Sequence, residues 1–285
     1  MADITAVILT KNEEKNIVNC IEHIKGFAER IVVIDSGSDD STVDLAKKLG
    51  AEVYVNSFVD YATQFNWGID NTDITTEWIL RIDADEFYTK ELCEEIEQLL
   101  HVHANDDVNG IITESWFYFL GKCIKYGGPK KRKIVVFRRG YGFIEKRKLD
   151  EHTIINEGRV IQAKNRFIHH DYKDITTWID KMNWYATREV QDYYIDMEKL
   201  KAGQGILANV KDDYLITTRR NKYLFYYRLP KFIRCWALFI YNYIFRLGFL
   251  DGKEGWVYHY MYQRWYRSLV DAKILEQELK NQNRI

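Results

Sequence analysis

The sequence predicts an α/β fold built on a mainly parallel sheet, followed by a helical appendage, and three observations carry that prediction. Short apolar runs rich in β-branched residues, Ile4 to Thr10, Arg30 to Ile34, Ala51 to Val55 and the run from Trp78, alternate with segments of helical period. Polar clusters close three of these runs, at Thr10 to Glu13, Asp35 to Ser38 and Asp83 to Glu86. Ligands of parallel sheets bind outside the carboxyl ends of the strands, so the clusters mark one edge for chemistry. Beyond residue 172 long helical patterns take over, which divides the chain into an α/β part, 1–172, and a helical part, 173–285.

Taken in order, Ile4 to Thr10 reads as a strand, and Ile17, Cys20, Ile21 and Ile24 as the apolar stripe of a helix that ends near Gly26. Arg30 to Ile34 repeats the strand, a polar turn feeds a helix over Thr42 to Leu49, and Gly50 stops it. Ala51 to Val55 is a third strand, and Tyr61 to Ile69 a helix leading to the strand that carries Asp83 and Asp85. Gly110 to Leu120 and Lys133 to Arg138 are β-rich and bracket a turn-rich loop, Gly121 to Pro129. Asp174 to Met197 is a long helical pattern, Lys199 to Asp213 a linker, Tyr223 to Leu250 a dense apolar and aromatic stretch, and Glu254 to Leu279 a last helix.

A chain of 285 residues can bury one large α/β core with an appendage. Its net charge of −1 supplies no overall field to recruit nucleic acid. Cys20, Cys93, Cys123 and Cys235 show neither Cys-x-x-Cys nor zinc spacing, so reduced thiols are expected. The N-terminus enters an apolar strand directly, with Asp3 at its start, unlike a basic signal peptide. A cytoplasmic location is expected.

Asp83 and Asp85 stand at i and i+2 on an extended segment and point the same way. Repulsion raises one of two close carboxyls unless a cation lies between them, and oxygen ligands suit Mg²⁺ or Mn²⁺. The pair reads either as a cation site for a nucleotide diphosphate or as a loop of solvated acids. Asp35 either accepts from a base or ribose or caps the helix that follows. No Gly-x-Gly-x-x-Gly and no Walker lysine occur, which disfavours dinucleotide dehydrogenases and P-loop enzymes.

The three stretches Ala6-Val7-Ile8-Leu9-Thr10-Lys11-Asn12-Glu13-Glu14, Val32-Val33-Ile34-Asp35-Ser36-Gly37-Ser38-Asp39-Asp40-Ser41-Thr42 and Asp83-Ala84-Asp85-Glu86 together resemble the family 2 glycosyltransferases. That resemblance implies a GT-A fold, a nucleotide-sugar donor, a divalent metal (Mn²⁺ or Mg²⁺) and inversion at the anomeric carbon. It sets Thr10, Asn12 and Glu13 along the nucleoside and Asp35 and Ser36 near base or ribose. Asp83 and Ala84 would lie at the donor, with Asp83 and Asp85 on the metal. Lys11 stands where many members have Tyr, and Ser36 where many have a second Asp. Phe58 to Asn66, Phe119 to Lys122, Tyr126 to Gly128 and Gly248 to Gly252 resemble the branch of lipopolysaccharide-core β-glucosyltransferases, which brings Gln64 and Asn66 to the donor and the glycine loop to the acceptor. His169 matches a family histidine and is either a third metal ligand or a structural imidazole.

Inverting transfer needs a base on the face of the sugar opposite the leaving diphosphate. Glu151, in Leu149-Asp150-Glu151-His152, matches the family's acidic position, with Asp150 as the alternative. The run Lys130 to Lys133 is either a solvated edge or a grip on a phosphorylated or lipid-linked acceptor. The aromatic stretch with Arg228, Arg234 and Arg246 suits the headgroup interface of a membrane, or packing against the catalytic part or a second copy in a homo-oligomer.

The expectation is therefore a metal-dependent hexosyltransferase that moves glucose from UDP-glucose to a hydroxyl of a cell-envelope glycan or lipid-linked precursor. It would work in the cytoplasm, on the inner face of the membrane if the aromatic helices bind lipid. A sugar-nucleotide nucleotidyltransferase would need a Gly-rich basic loop after the first strand. A non-catalytic scaffold at the membrane would have no use for Asp83, Asp85 and Glu151.

Overall fold

The apolar runs pair as their alternation with helices requires. In the computed structural model, which describes residues 2–129, 131–149, 151–203, 205 and 211–284, the chain begins β1 (Ala2–Thr10), α1 (Ile17–Ile24), β2 (Ala28–Asp35), α2 (Thr42–Lys48), β3 (Glu52–Val55), α3 (Tyr61–Asn71), β4 (Trp78–Asp83). The short β5 (Glu86–Phe87) and α4 (Lys90–Val102) follow. A second run of strands comprises β6 (Val108–Phe119), β7 (Lys122–Cys123), β8 (Arg132–Arg138), β9 (Gly142–Ile144), β10 (Thr153–Ile155), β11 (Arg159–Gln162) and β12 (Phe167–His170). The main sheet has the order β3-β2-β1-β4-β8-β6-β12-β5. It is parallel from β3 to β4 and antiparallel where β8 enters. The predicted α/β class with a mainly parallel sheet and C-terminal helices is what the chain adopts.

Side chains alternate across β1, so its two faces build two cores. Ile4, Ala6 and Ile8 pack with Ile17, Cys20, Ile21 and Ile24 of α1 and with Leu92 and Ile96 of α4. Val7 packs with Ala62 and Phe65 of α3 on the opposite face. Each fully buried Ile contributes about 1.5–3 kcal/mol, so these faces fix the register that aligns the strand ends. Gly68 lets α3 lie close to β2, since a Cβ there would stand 2.9 Å from Ile34 Cγ1.

The helical part begins with α5 (Ile175–Lys201), capped by Asp174, whose carboxylate accepts from the Thr177 N–H at 2.9 Å. Its Met182, Ala186 and Val190 pack on Tyr266, Val270 and Ile274. Then come α6 (Asp213–Leu224), α7 (Ile233–Ile240) and α8 (Gly252–Tyr258), which continues through a π-type stretch, His259–Tyr266, into α9 (Arg267–Asn281). Of the expected linker Lys199 to Asp213, residues 204 and 206–210 lie outside the described residues. The expected aromatic stretch Tyr223 to Leu250 is broken into short pieces. Pro230 has no N–H to give a helix, and Phe232 and Leu247 take positive φ of 64° and 61°.

Buried charges tie these helices together. Glu189 on α5 accepts from Tyr227, Tyr266 and Arg267 at 3.0, 2.6 and 2.7 Å. Arg234 Nε donates to Asp271 Oδ1 at 2.8 Å. Among the described residues no helix is long and apolar enough to cross a membrane. Phe225, Ile233, Trp236, Ile240, Tyr241 and Phe245 are nevertheless exposed, Phe245 by 72%.

Candidate active site

The strand register delivers the three polar clusters to one edge. Thr10 lies opposite Asp35 across β1 and β2, and Leu9 lies opposite Asp83 across β1 and β4. Asp35 is buried and organises the first loop pair. Its Oδ1 accepts from Thr10 Oγ1 at 2.9 Å and Ser38 Oγ at 2.6 Å, and its Oδ2 from the Gly37 and Ser38 N–H groups at 2.8 and 2.7 Å. Asn12, at φ 55°, donates its N–H to Ser38 Oγ and accepts from the Asp39 N–H. Gln64 Nε2 donates to Ser36 Oγ at 3.2 Å and to the Asn56 carbonyl at 2.9 Å. Thr10, Asn12, Asp35, Ser36 and Gln64 thus share one bonded edge. Asn66 does not join it, because both amide atoms are taken by the Ile144 backbone at 2.9 Å.

Glu13 accepts from Lys173 Nζ at 2.6 Å and Asn16 Nδ2 at 2.8 Å. Burial and the nearby Asp85 charge still raise its carboxyl above the ordinary value, against the pull of Lys173.

The acid cluster lies at the end of β4. Asp83 Oδ1 accepts from Tyr61 OH at 2.5 Å and Oδ2 from Lys133 Nζ at 3.1 Å. Lys133 also donates to Glu86 Oε2 at 2.6 Å. Asp85 Oδ2 accepts from Lys181 Nζ of α5 at 3.3 Å and lies 3.5 Å from His169 Nε2. Burial works to raise both aspartates. Lys133 and Arg81 at Asp83, and His169, Lys181 and Lys131 at Asp85, outweigh it and hold both carboxyls below the ordinary range. Ala84 is buried between them. Lys131 Nζ stands 3.0 Å from His169 Nε2. Its amine is pushed down to about 8, by burial first and with the Lys181 charge adding, against Asp85.

Arg81 connects this cluster to the Glu151 segment. It lies 4.8 Å over the Tyr61 ring, donates to Tyr61 OH and Thr153 Oγ1 at 3.2 Å each, and reaches the Glu151 carbonyl at 3.5 Å. Burial opposes its charge, and Tyr61, Asp83 and Glu151 more than restore it. The Glu151 charge is also felt at Tyr185 of α5, whose phenol is raised by burial first and then by Asp85, Asp83 and Glu151, against Lys181. Asp150, the alternative base, lies outside the described residues.

An octahedral Mg²⁺ or Mn²⁺ with ligands at about 2.1 Å sets neighbouring donors about 3 Å apart. Asp85 Oδ2 and His169 Nε2, 3.5 Å apart, fit such a pair, and Mg²⁺ is ordinarily held by one or two protein groups plus phosphates and water. The third expected ligand, Asp83, accepts one hydrogen bond on each oxygen, from Tyr61 and Lys133, which leaves further lone pairs on both. Among the described residues no group of three or more His, Cys, Asp or Glu is arranged to hold a metal.

Sequence reasoning missed Tyr61, Arg81, Lys181 and Tyr185, and left Lys131 and Lys133 inside an undivided basic run. The strand period of two separates that run. Lys131 and Lys133 face the acids, while Arg132 between them turns to Asp212 at 2.6 Å. The antiparallel register that sets Leu80 beside Val136 carries Lys133 up to Asp83.

Acids and polar turns gathered over the ends of parallel strands define the class of α/β enzymes that hold a substrate above the sheet. The chain belongs to glycosyl transferase family 2, whose model matches residues 5–158, more than half of its length. It is a glycosyltransferase with an α/β fold. An uncharacterized glycosyltransferase of Rickettsia typhi is 28% identical over 214 residues, 67% of this chain and 68% of that one. The lipopolysaccharide core biosynthesis glycosyltransferase LpsC of Rhizobium meliloti is 29% identical over 177 residues, 59% of this chain and 62% of that one. Among solved structures, glucosyl-3-phosphoglycerate synthase from Mycobacterium tuberculosis, crystallised with Mn²⁺, UDP and glucosyl-3-phosphoglycerate, is 19% identical with a TM-score of 0.32. That match covers 40% of this chain and 44% of the mycobacterial chain, less than half of its length.

Proposed function

We propose that the protein transfers a hexose, glucose from UDP-glucose, with inversion to a hydroxyl of a cell-envelope glycan or its lipid-linked precursor. The observation that carries this reading is the alignment of Thr10, Asp35 and Asp83 at the ends of three adjacent parallel strands, with Asp85 and His169 3.5 Å apart beside them. Thr10, Asn12, Glu13, Asp35, Ser36 and Gln64 receive the nucleoside, and Asp83 and Ala84 border the ribose and diphosphate. Asp85, Asp83 and His169 would hold Mn²⁺ or Mg²⁺, which when bound would neutralise charge on the departing diphosphate. Lys131, Lys133 and Lys181 supply further positive charge to the same phosphates. Glu151, with Asp150 as the alternative, takes the proton of the acceptor hydroxyl. The name of the rhizobial relative supports an envelope acceptor.

The α/β part, 1–172, carries donor chemistry, and the helical part, 173–285, closes the site and presents its exposed aromatic side to the inner face of the cytoplasmic membrane. Between Phe225 and Leu250, Arg228 is exposed and Arg246 half-buried with no acid in the stretch, which suits an anionic surface, while Arg234 and Lys231 are taken by Asp271 and Glu278. A homo-oligomer joined through the same face is the competing outcome. Size exclusion with and without anionic vesicles separates the two.

The test of the reaction is a thermal-shift series with UDP, UDP-glucose and other nucleotide sugars, each with Mn²⁺ and with EDTA. A rise in Tm with UDP-glucose that needs Mn²⁺ and disappears in Asp85→Asn supports the reading. No response to any nucleotide sugar defeats it.

A further inference from the structure

We infer that a pocket on the outer wall of the acid cluster binds the acceptor through an acidic sugar, with its phosphate or carboxylate on Arg188; this rests on the transfer reaction proposed above. The pocket has a volume of about 430 Å³ and is lined by Val59, Lys148 and one side of α5, including Asp180, Trp184 and Arg188. That is within the size range of small-molecule sites.

Arg188 is held in place by neutral groups, two backbone carbonyls and two aromatic rings. Its guanidinium lies 3.9 Å over the Trp184 ring and 5.5 Å over Phe58, and donates to the Val59 carbonyl at 3.3 Å and the Lys148 carbonyl at 3.5 Å. Among the described residues no carboxylate stands within ion-pair distance of it, so a planar cation with donors to spare borders the pocket. Such a fork matches phosphate or carboxylate oxygens in pairs. Lys148 Nζ adds charge nearby, 3.2 Å from Asp60, which also caps α3. Trp184 remains 43% exposed, an apolar surface on which a pyranose ring can lie, and Asn183, Thr187 and Gln191 give the wall amides and a hydroxyl for sugar hydroxyls. Asp180, the one acid in the lining, is eight residues before Arg188 on α5, about 12 Å along the helix, so the pocket is cationic at one end only.

The pocket and the chemistry share two walls. From α5, Lys181 reaches Asp85, while Trp184 and Arg188 face the pocket. Lys148 lies three residues before Glu151, and Arg147 beside it is fixed to Asp196 of α5 at 2.8 Å. Arg188 lies seven residues beyond Lys181, about 10 Å along α5, so an acidic sugar anchored there leaves the span of a neighbouring sugar ring to reach the cluster.

The test is isothermal titration of the full chain with glucose 6-phosphate, glucuronate, glucose and inorganic phosphate as probes, beside the UDP–Mn²⁺ thermal shift. The two acidic sugars should bind at least ten-fold more tightly than glucose, and glucose 6-phosphate more tightly than phosphate. Arg188→Gln should weaken both acidic sugars ten-fold or more, Trp184→Ala should weaken them as well, and both variants should keep the UDP shift as a sign of an intact donor site. Equal binding of glucose and glucose 6-phosphate, equal binding of phosphate and glucose 6-phosphate, or binding that survives Arg188→Gln overturns the assignment and leaves the nucleotide-sugar reading standing. Loss of the UDP shift in the wild type with acidic-sugar binding intact removes the donor reading and keeps the pocket.

Discussion

The Lys133 ammonium stands 3.1 Å from the Asp83 carboxylate, two side chains 50 residues apart that the antiparallel entry of β8 brings face to face. Lys133 is also the counter-charge of the almost fully buried Glu86. Removing one partner of a buried pair strands the other, at a cost of about 3–5 kcal/mol. Lys133→Met should lower stability by roughly that amount in urea titration at pH 7, and Lys133→Arg by less. Asp83 is held below its ordinary value, so its contribution is whole above that value and fades as pH falls through the folded one. The difference between wild type and Lys133→Met should therefore narrow on acidification below about pH 4.

Glu151→Gln separates binding from transfer. The amide cannot take a proton, so transfer should fall by about 10²-fold or more, the usual scale for a lost general base. The UDP–Mn²⁺ thermal shift should stay within a degree or so of the wild type. Full transfer by this variant, assayed with UDP-glucose, would hand the role to Asp150.

Asp35 accepts four hydrogen bonds from its own loops, and that alone predicts a cost without any ligand. Asp35→Ala leaves Thr10, Gly37 and Ser38 donors unmet and should destabilise the ligand-free protein by about 2–4 kcal/mol. Asp35→Asn, which keeps one carbonyl oxygen, should cost less. If Asp35→Ala melts like the wild type, the residue serves the nucleoside alone.

His259 offers a pH readout of how the last helix docks. Its Nε2 lies 3.2 Å from the Tyr126 carbonyl, while Nδ1 is buried without a partner among the described residues. Burial lowers its pKa, with Arg246 adding, against Tyr126 and Asp251. A histidine kept neutral by the fold contributes stability that is whole above about pH 6.5 and is lost as pH falls toward the folded value. The fall in Tm between pH 7.5 and 5.5 should be smaller in His259→Gln than in the wild type, as measured by scanning calorimetry.

Asp271 accepts from Arg234 and from the Phe232 N–H at 2.7 Å, both in the interior of the helical part. Asp271→Asn should cost about 3–5 kcal/mol. Its effect should show as an earlier loss of near-ultraviolet aromatic signal, since the tyrosines about Glu189 depend on the same helix.

The strands and their polar ends were legible because a parallel sheet buries continuous β-branched runs and leaves its chemistry at the tips. Ile4 to Thr10 and Trp78 to Asp83 lie close to where their composition sets them. Helix α6 was not legible. It buries Leu215, Arg219 and Tyr223, and its inward arginine, paired with Glu145 at 2.6 Å, breaks the apolar period by which a helix is read. The lysines at the acid cluster escaped for another reason. Their meaning depends on partners far along the chain, 96 residues for Lys181 and Asp85, and local pattern holds no trace of such a pairing. Asn66 shows the converse, since its matching motif does not reveal that Ile144 takes its amide.

The bond from Lys181 to Asp85 also bears on how this enzyme can be cut and recombined. The stretch that matches the family model ends at residue 158, yet one cation of the acid cluster arrives from a helix beyond it. A chimera that swaps tails at residue 172 would exchange more than a set of outer helices. It would import a new charge into the cleft, and altered turnover in such a hybrid should be traced there before any change of acceptor is invoked.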